Sequence, residues 1–381
     1  MAIVFQFFSC YNEIHFKKQS INISSLIRRI AEKSVENKNL TRRKLYGKMA
    51  DNVQLKDYRF IFGEPKTREE VIGQLQSEEQ LWRTFCELTV PYQEEIIAFC
   101  MGNQGIKITY DSVFKYIFNP EAKPERLSDL LSEIIGEKVR VKQVLPGESR
   151  EIFDGSSLVI LDILVELESG AQADVEMQKV GNLFPGQRSA CYSADMLIRQ
   201  FSRVKARKKE AFRYKDVQKV YSIIFFENSG MTFRGHTEYL HHAKQIFDTG
   251  LEMDLLQEYF LIPLDIFRKT THNEISKLEA WLYFLSSDKP EDILKVVGKY
   301  PEFRELYQDL IVFRYQPKEL IDMYRKALRE ADASDIKYMV EEQQREIEEL
   351  KEMNESLQET NESLQEQITK LHILLEEMKE K

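Results

Sequence analysis

The hydrophobic pattern changes period along the chain, and those changes mark its elements. Two short runs, Leu158–Leu167 (LVILDILVEL) and Gln172–Val180 (QADVEMQKV), flank the turn signal Glu168-Ser169-Gly170 and read as a β-hairpin. Val139–Val144 (VRVKQV) alternates and predicts a strand before the hairpin, and Lys219–Glu227 predicts a buried strand after it. Asp111–Ile135 has helical spacing, broken near Pro120 and Pro124. After a loop at Gly181–Gly186, Gln187–Lys209 reads as a long helix with Arg188, Tyr192, Met196 and Arg199 near its period. From Thr237 to about Glu330 the pattern predicts helices, with Trp281, Leu282, Phe284 and Leu285 as core. Pro263, Pro290, Pro301 and Pro317 mark breaks or helix starts there. Strands and helices interleaved in this order predict a mixed α/β sheet with an αβββαβ core.

Residues 334–381 follow a seven-residue repeat. The a positions are Val340, Ile347, Asn354, Asn361, Ile368 and Leu375, and the d positions are Gln343, Leu350, Leu357, Leu364, Leu371 and Met378. Leu at d with β-branched residues at some a positions favours two parallel strands, and Asn at a fixes register at a cost in stability. A solvated single helix would not need Leu every seven residues, so the tail predicts a homodimer through a parallel coiled coil.

Within the hairpin, acids stand where a buried strand should exclude them. Asp162 sits between Leu161 and Ile163, where an ionised carboxylate costs several kcal/mol unless compensated. Side chains alternate along the second run, so Asp174, Glu176 and Gln178 share one face while Ala173, Val175 and Met177 share the other. A divalent metal would compensate Asp162 and Glu176 together, because hard cations take oxygen ligands. The alternative is an Asp162–Arg pair at a sheet margin, with Glu176 facing solvent on an edge strand. An acid in a buried run, a hairpin, E-x-Q and then a basic helix favour the metal site in combination.

Charge changes the picture once it is located. The chain has 381 residues and a net charge of −9, but Ser334–Lys381 alone holds 14 acids against 6 bases. The acidity therefore belongs to the tail, and the remaining body carries only −1. Arg199–Lys209 (RQFSRVKARKK) has six Lys or Arg and no acid, with Arg199, Arg203 and Arg207 at four-residue spacing along one helical stripe. Such a stripe suits phosphate neutralisation, the salt-sensitive and sequence-independent part of DNA affinity; a solvated helix face is the plainer reading. A second basic stretch, Lys17–Lys48, reads equally as a phosphate-binding arm or as residues upstream of a start at Met49. Cys10, Cys86, Cys100 and Cys191 lie far apart with no C-x-x-C, which suits a reducing cytoplasm and neither a zinc ribbon nor a disulfide framework. No apolar run approaches the roughly 18 residues of a membrane span. The apolar opening Met1–Cys10 has no basic region before it, unlike a signal peptide.

An Asp, a hairpin and E-x-K on adjacent strands are the signature of PD-(D/E)xK nucleases, which this sequence resembles through Asp162, Glu176 and Gln178, with Gln in place of Lys. It is similar in particular to the Rpn-type recombination-promoting nucleases and transposases. That similarity rests on Thr109–Phe118 (TYDSVFKYIF), Val175–Lys179 (VEMQK), Arg188–Tyr192 (RSACY) and Tyr221–Phe226 (YSIIFF), within a resemblance spanning roughly residues 80 to 330. The resemblance implies a restriction-endonuclease-like fold, metal-dependent cleavage of double-stranded DNA and a link to mobile elements. On it, Asp162 and Glu176 hold Mg²⁺ or Mn²⁺, and Gln178 orients the attacking water without titrating. Beside it, Asp111 offers a further carboxylate or simply a charge favouring the helix dipole, Lys115 can stand in for the missing Lys, and Arg188 and Tyr192 either touch a phosphate or form a structural ion pair and a core aromatic. Lys179 falls on the opposite strand face.

The expected layout is a basic segment over 1–50, a helical lead-in over 51–108 and a nuclease core over 109–230. A helical region over 231–333 and the coiled coil over 334–381 complete it. His236, His241 and His242 match no zinc spacing and read as a polar helix start. Two rivals stand beside the nuclease: a DNA-binding member that does not cut, and a coiled-coil interaction protein.

Overall fold

The computed structural model describes residues 58–145, 163–180 and 185–326, with further positions between 328 and 367. The chain divides into a unit of residues 1–60, of which only 58–60 are described, and a unit Ile61–Lys381, which carries the sheet and its helices.

Three helices, α1 (Arg68–Gln76), α2 (Glu79–Cys86) and α3 (Val90–Met101), precede α4 (Asp111–Ile117) and α5 (Pro124–Ile135). Then come β1 (Val141–Val144), β2 (Ile163–Leu167), β3 (Gln172–Val180), the long α6 (Pro185–Lys208) and β4 (Val220–Asn228). This is the αβββαβ order expected from the sequence. Beyond it lie β5 (His241–Lys244), β6 (Gln257–Pro263), α7 (Leu264–Lys269), α8 (Lys277–Ser286), α9 (Pro290–Lys299) and α10 (Phe303–Tyr315). Among the described residues no helix is long and apolar enough to cross a membrane.

The six strands form one mixed sheet in the order β1-β2-β3-β4-β6-β5. The pairs β3–β4 and β4–β6 are parallel, and the other three are antiparallel. Here the helical reading of 237–330 is corrected: β5 and β6 are strands of the same sheet, which continues past residue 230. Gln257–Pro263 (QEYFLIP) buries Glu258, Phe260 and Ile262 at period two, a strand period too short-lived to stand out against the helices after it. His241 and His242 lie on edge strand β5, not at a helix start. His242 stacks on Phe260 at 4.4 Å and meets Glu258 through Nε2 at 2.9 Å, so its polarity is spent on the neighbouring strand.

Register sorts the sheet into two unlike faces. Ala173, Val175 and Met177 align across the parallel strands with Tyr221, Ile223 and Phe225, and these with Glu258, Phe260 and Ile262. This face is apolar and packs through Phe225 on Phe114 of α4, then through Phe118 to Trp281 of α8. Each such buried side chain contributes about 1.5–3 kcal/mol. The other face carries Gln172, Asp174, Glu176 and Gln178.

Two buried cations tie the late helices to the early ones. Arg314 of α10, 2% exposed, donates to the Cys100 carbonyl of α3 at 2.7 Å. It lies so close that a Cβ on Gly102, already at φ +79, would meet its guanidinium at 2.9 Å. Arg126 of α5 donates to Asp309 of α10 at 2.5 Å, and Lys123 donates to the same oxygen. Burial pulls the Asp309 carboxyl upward, but these two hydrogen bonds outweigh it and hold the group below the usual carboxylate range. A depressed carboxyl contributes stability above its unfolded value, near 4, and loses it as pH falls through the folded value. Asp309→Asn is therefore expected to cost about 1–3 kcal/mol at pH 7. In urea melts at decreasing pH, the gap to the wild type should close below about pH 4.

Candidate active site

α6 lies over the polar face of β3 and its neighbours, and touches β3's own acids through Arg188 on Glu176. Gln172 and Asp174 are each 1% exposed, Glu176 6% and Gln178 8%, and unmatched groups of this kind cost several kcal/mol. Strand register extends the rows sideways: Asp174 aligns with Ser222 and Tyr259, and Gln172 with Val220 and Gln257. From α6, Ser193 shares a hydrogen bond with the Tyr259 hydroxyl at 2.7 Å and accepts one from Gln257 at 2.7 Å. Gln200 accepts from the backbone N–H of Gln218 at 2.6 Å. Met196 supplies the apolar part of the contact, on Leu164 and Val220.

Near the N-terminus of α6 this seam concentrates charge. Arg188 donates from Nη2 to Oε1 of Glu176 at 3.2 Å, and Gln178 donates from Nε2 to the same oxygen at 2.9 Å. The guanidinium lies 5.0 Å from the centre of the Tyr192 ring, one helical turn on. Arg188 is partly exposed while Glu176 is not, so the pair presents a cation to solvent above a buried acid. A hydrogen-bonded buried carboxylate beside a partly exposed guanidinium can hold a cation on one side and an anionic oxygen on the other.

The remaining expected residues fall in different places. Asp162 lies outside the described residues, immediately before Ile163, which pairs with Val175. Asp111 is the first residue of α4. Lys115, half-buried on the same helix, lines a cavity of about 300 Å³ with Val144, Leu145, Ile163 and Leu164, beside the start of β2. Lys179 is on the opposite face of β3 from Gln178, with its ammonium 4.0 Å over the ring of Tyr110, the residue before α4. Of the basic stripe, Arg199 pairs with Asp195 at 2.9 Å and is half-buried. Arg203 is half-buried too; burial first, and the Arg199 charge second, lower its proton affinity. Arg207 is exposed. The structure thus gathers Glu176, Gln178, Arg188 and Tyr192, sets Lys115 at the head of β2, and places the stripe further along α6.

Sequence reasoning passes over Asp174 and Ser193 as parts of this seam. Their signal is legible in principle: three alternate polar residues on one strand face call for a polar helix above it. Among the described residues no three His, Cys, Asp or Glu side chains come together as a metal cluster. Residues 108–343 match a family model described as PD-(D/E)XK nuclease family transposase. No curated protein and no solved structure matches the chain.

The Arg188–Glu176 contact is testable without any activity. Arg188→Ala strips a cation from a buried carboxylate and should destabilise the chain by about 1–3 kcal/mol in EDTA. Adding Glu176→Gln should recover part of that loss, giving a coupling of about 0.5–3 kcal/mol in a double-mutant cycle read by urea unfolding. Strictly additive losses would show that the two groups do not interact.

Proposed function

The chain belongs to the PD-(D/E)XK nuclease family transposases, and from that premise we propose that it is a divalent-metal-dependent endonuclease. Its reaction is hydrolysis of phosphodiester bonds in double-stranded DNA, in recombination or transposition. The observation that carries this reading is Glu176, a buried carboxylate held by Gln178 and Arg188 on the polar face of β3. Its donor chemistry fits a hard cation: the Glu176 carboxylate and the Gln178 amide oxygen are the ligand types that Mg²⁺ and Mn²⁺ take. We assign Asp162 as the second carboxylate. The register supports this, since Asp162 directly precedes Ile163, the partner of Val175 and so of the residue before Glu176.

Bound there, the ion would polarise the scissile phosphate and acidify the attacking water. The chain's own groups do the rest. Arg188, with its planar array of donors, gives hydrogen bonds to a non-bridging phosphate oxygen and opposes the charge that builds there. Gln178 orients the water by hydrogen bonding but cannot take its proton. Lys115 stands at the head of β2 as a second positive charge, and Asp111 opens the same helix. Of the stripe on α6, Arg207 is the exposed member that can meet a duplex phosphate, while Arg199, paired with Asp195, and Arg203 lie half-buried behind it. The scattered thiols Cys86, Cys100 and Cys191 are unpaired, in keeping with work in a reducing cytoplasm.

Gln178, in the place of the family's Lys, favours a second reading, a member that binds DNA without cutting it. Supercoiled plasmid with Mg²⁺ or with EDTA separates the two. The wild type should nick only with metal, and Asp162→Ala and Glu176→Ala should each lose at least on the order of 100-fold in rate. Salt-sensitive binding with no nicking in any divalent metal would leave the binding reading.

We extend the proposal to the tail. Its described positions are helical, and Ile347, Leu350, Leu357 and Leu364 are each about half-exposed or more at the a and d positions. Four apolar residues on that spacing support a parallel homodimer, which presents two sites to one DNA. Leu357→Glu with Leu364→Glu should halve the mass measured by light scattering. An unchanged mass would place the dimer contact elsewhere or nowhere.

A further inference from the structure

We propose that the far end of α6 is a stacking platform for unpaired nucleobases, distinct from the phosphodiester site at its near end. The proposal rests on the reading that this chain works on DNA, and not on whether it cuts.

Three aromatic side chains meet there on the surface. Phe201 packs edge-on against Phe212 at 5.3 Å and lies nearly parallel to Tyr214, at 6.0 Å and 19°. Phe212 and Tyr214 close the triangle at 5.6 Å. Tyr214 is nevertheless 79% exposed. A lone surface aromatic is ordinary. Three locked together, one of them almost bare, form a fixed π surface with an open face.

The local backbone holds this surface in place. Lys209, a residue other than glycine, adopts φ +50 directly after α6 and turns the chain back. Two 3₁₀ turns, Lys209–Ala211 and Tyr214–Asp216, then bring Phe212 and Tyr214 over Phe201. Asp216 clamps the return: it accepts from the Arg213 N–H at 2.8 Å and from Lys208 at 2.6 Å. A platform held this way loses little entropy when a ring docks on it.

The surroundings select the ligand. Lys205 stands 5.3 Å from the Phe201 centroid, and Arg207, Lys209 and Lys215 are exposed in the same stretch, against one exposed acid, Glu210. Compensation of the helix dipole accounts for Lys205, Arg207 and Lys208 in the last turn of α6. It does not account for Lys209, Lys215 or the rings. An apolar protein partner would have to strip water from these cations to reach Tyr214. A single strand instead offers a π face to the ring and phosphates to the lysines at once. Phe201 is 13 residues beyond Arg188 on one helix, so the two ends lie about 20 Å apart, the length of about six stacked nucleotides.

The test is binding in EDTA, with full-length chain and three labelled probes: a 20-nucleotide oligo-dT, a backbone of the same length without bases, and a 20-base-pair duplex. The wild type should bind oligo-dT at least about 10-fold more tightly than the abasic strand, as one stacked base provides. Tyr214→Ala should erase that preference while leaving the abasic strand and the duplex unchanged, and Tyr214→Trp should keep it. Lys209→Gln with Lys215→Gln should weaken all three probes and flatten the salt dependence on the strand. Equal affinity for dT and abasic strands in the wild type would overturn the proposal. So would a Tyr214→Ala loss shared by all three probes, or one seen only as a change in oligomeric mass, which would mark a protein contact. Because no cleavage is read, failure here is separate from failure of the nuclease reading.

Discussion

The seam between β3 and α6 is the constraint on which the rest of this molecule depends. A strand central to a sheet normally spends its side chains on apolar burial, yet one face of β3 is polar from Gln172 to Gln178. That arrangement is stable only where a second element brings matching donors and acceptors. α6 does so along its length, with Arg188 over Glu176, Ser193 over Tyr259 and Gln200 at the turn into β4. The opposite face, mostly apolar and packed on α4 and α8 through Phe114, Phe118 and Trp281, provides the stability that a polar seam cannot.

That division of labour explains the contrast between Gln178 and Lys179. Alternation sends Gln178 to the polar face and Lys179 to the apolar one, where the ammonium rests on Tyr110. The positive charge next to Glu176 comes from another element, Arg188. A guanidinium and a lysine are different tools: the first cannot surrender its proton and binds a phosphate through two nitrogens. The same helix that supplies it also carries the half-buried Arg199 and Arg203, so the stripe does structural work near the sheet and becomes fully exposed only at Arg207.

Much of this is legible in the sequence, for reasons that can be named. β3 and the long helix after it are readable from their periods of two and 3.6, and β2 and β4 as short continuous apolar runs. The facing of Asp174, Glu176 and Gln178 comes from strand alternation alone. β6 escapes notice because QEYFLIP is seven residues inside a region whose other signals are helical, and β5 because an edge strand needs little apolar patterning. The aromatic triangle is invisible for a different reason: Phe201, Phe212 and Tyr214 come together only through the positive φ at Lys209, which no propensity suggests. Asp162 stands out through the cost of its charge among Leu161 and Ile163, and it falls outside the described residues.

The place of β6 in the strand order has a consequence for how this protein is divided. β4 is flanked by β3 on one side and by β6 on the other, although β6 arrives some thirty residues after β4 ends. A fragment ending at residue 230 would keep every residue of the candidate site and would lack β4's second neighbour. Val220 through Phe226, all buried in the whole chain, would then face solvent along an open row of backbone donors and acceptors. Such an edge is long, apolar and without a guarding charge until Glu227, the condition under which sheets join to one another instead of staying single. The candidate site residues and the strand that covers β4's second edge are thus interleaved along the chain, and a fragment that keeps β4 paired on both sides extends at least through β6.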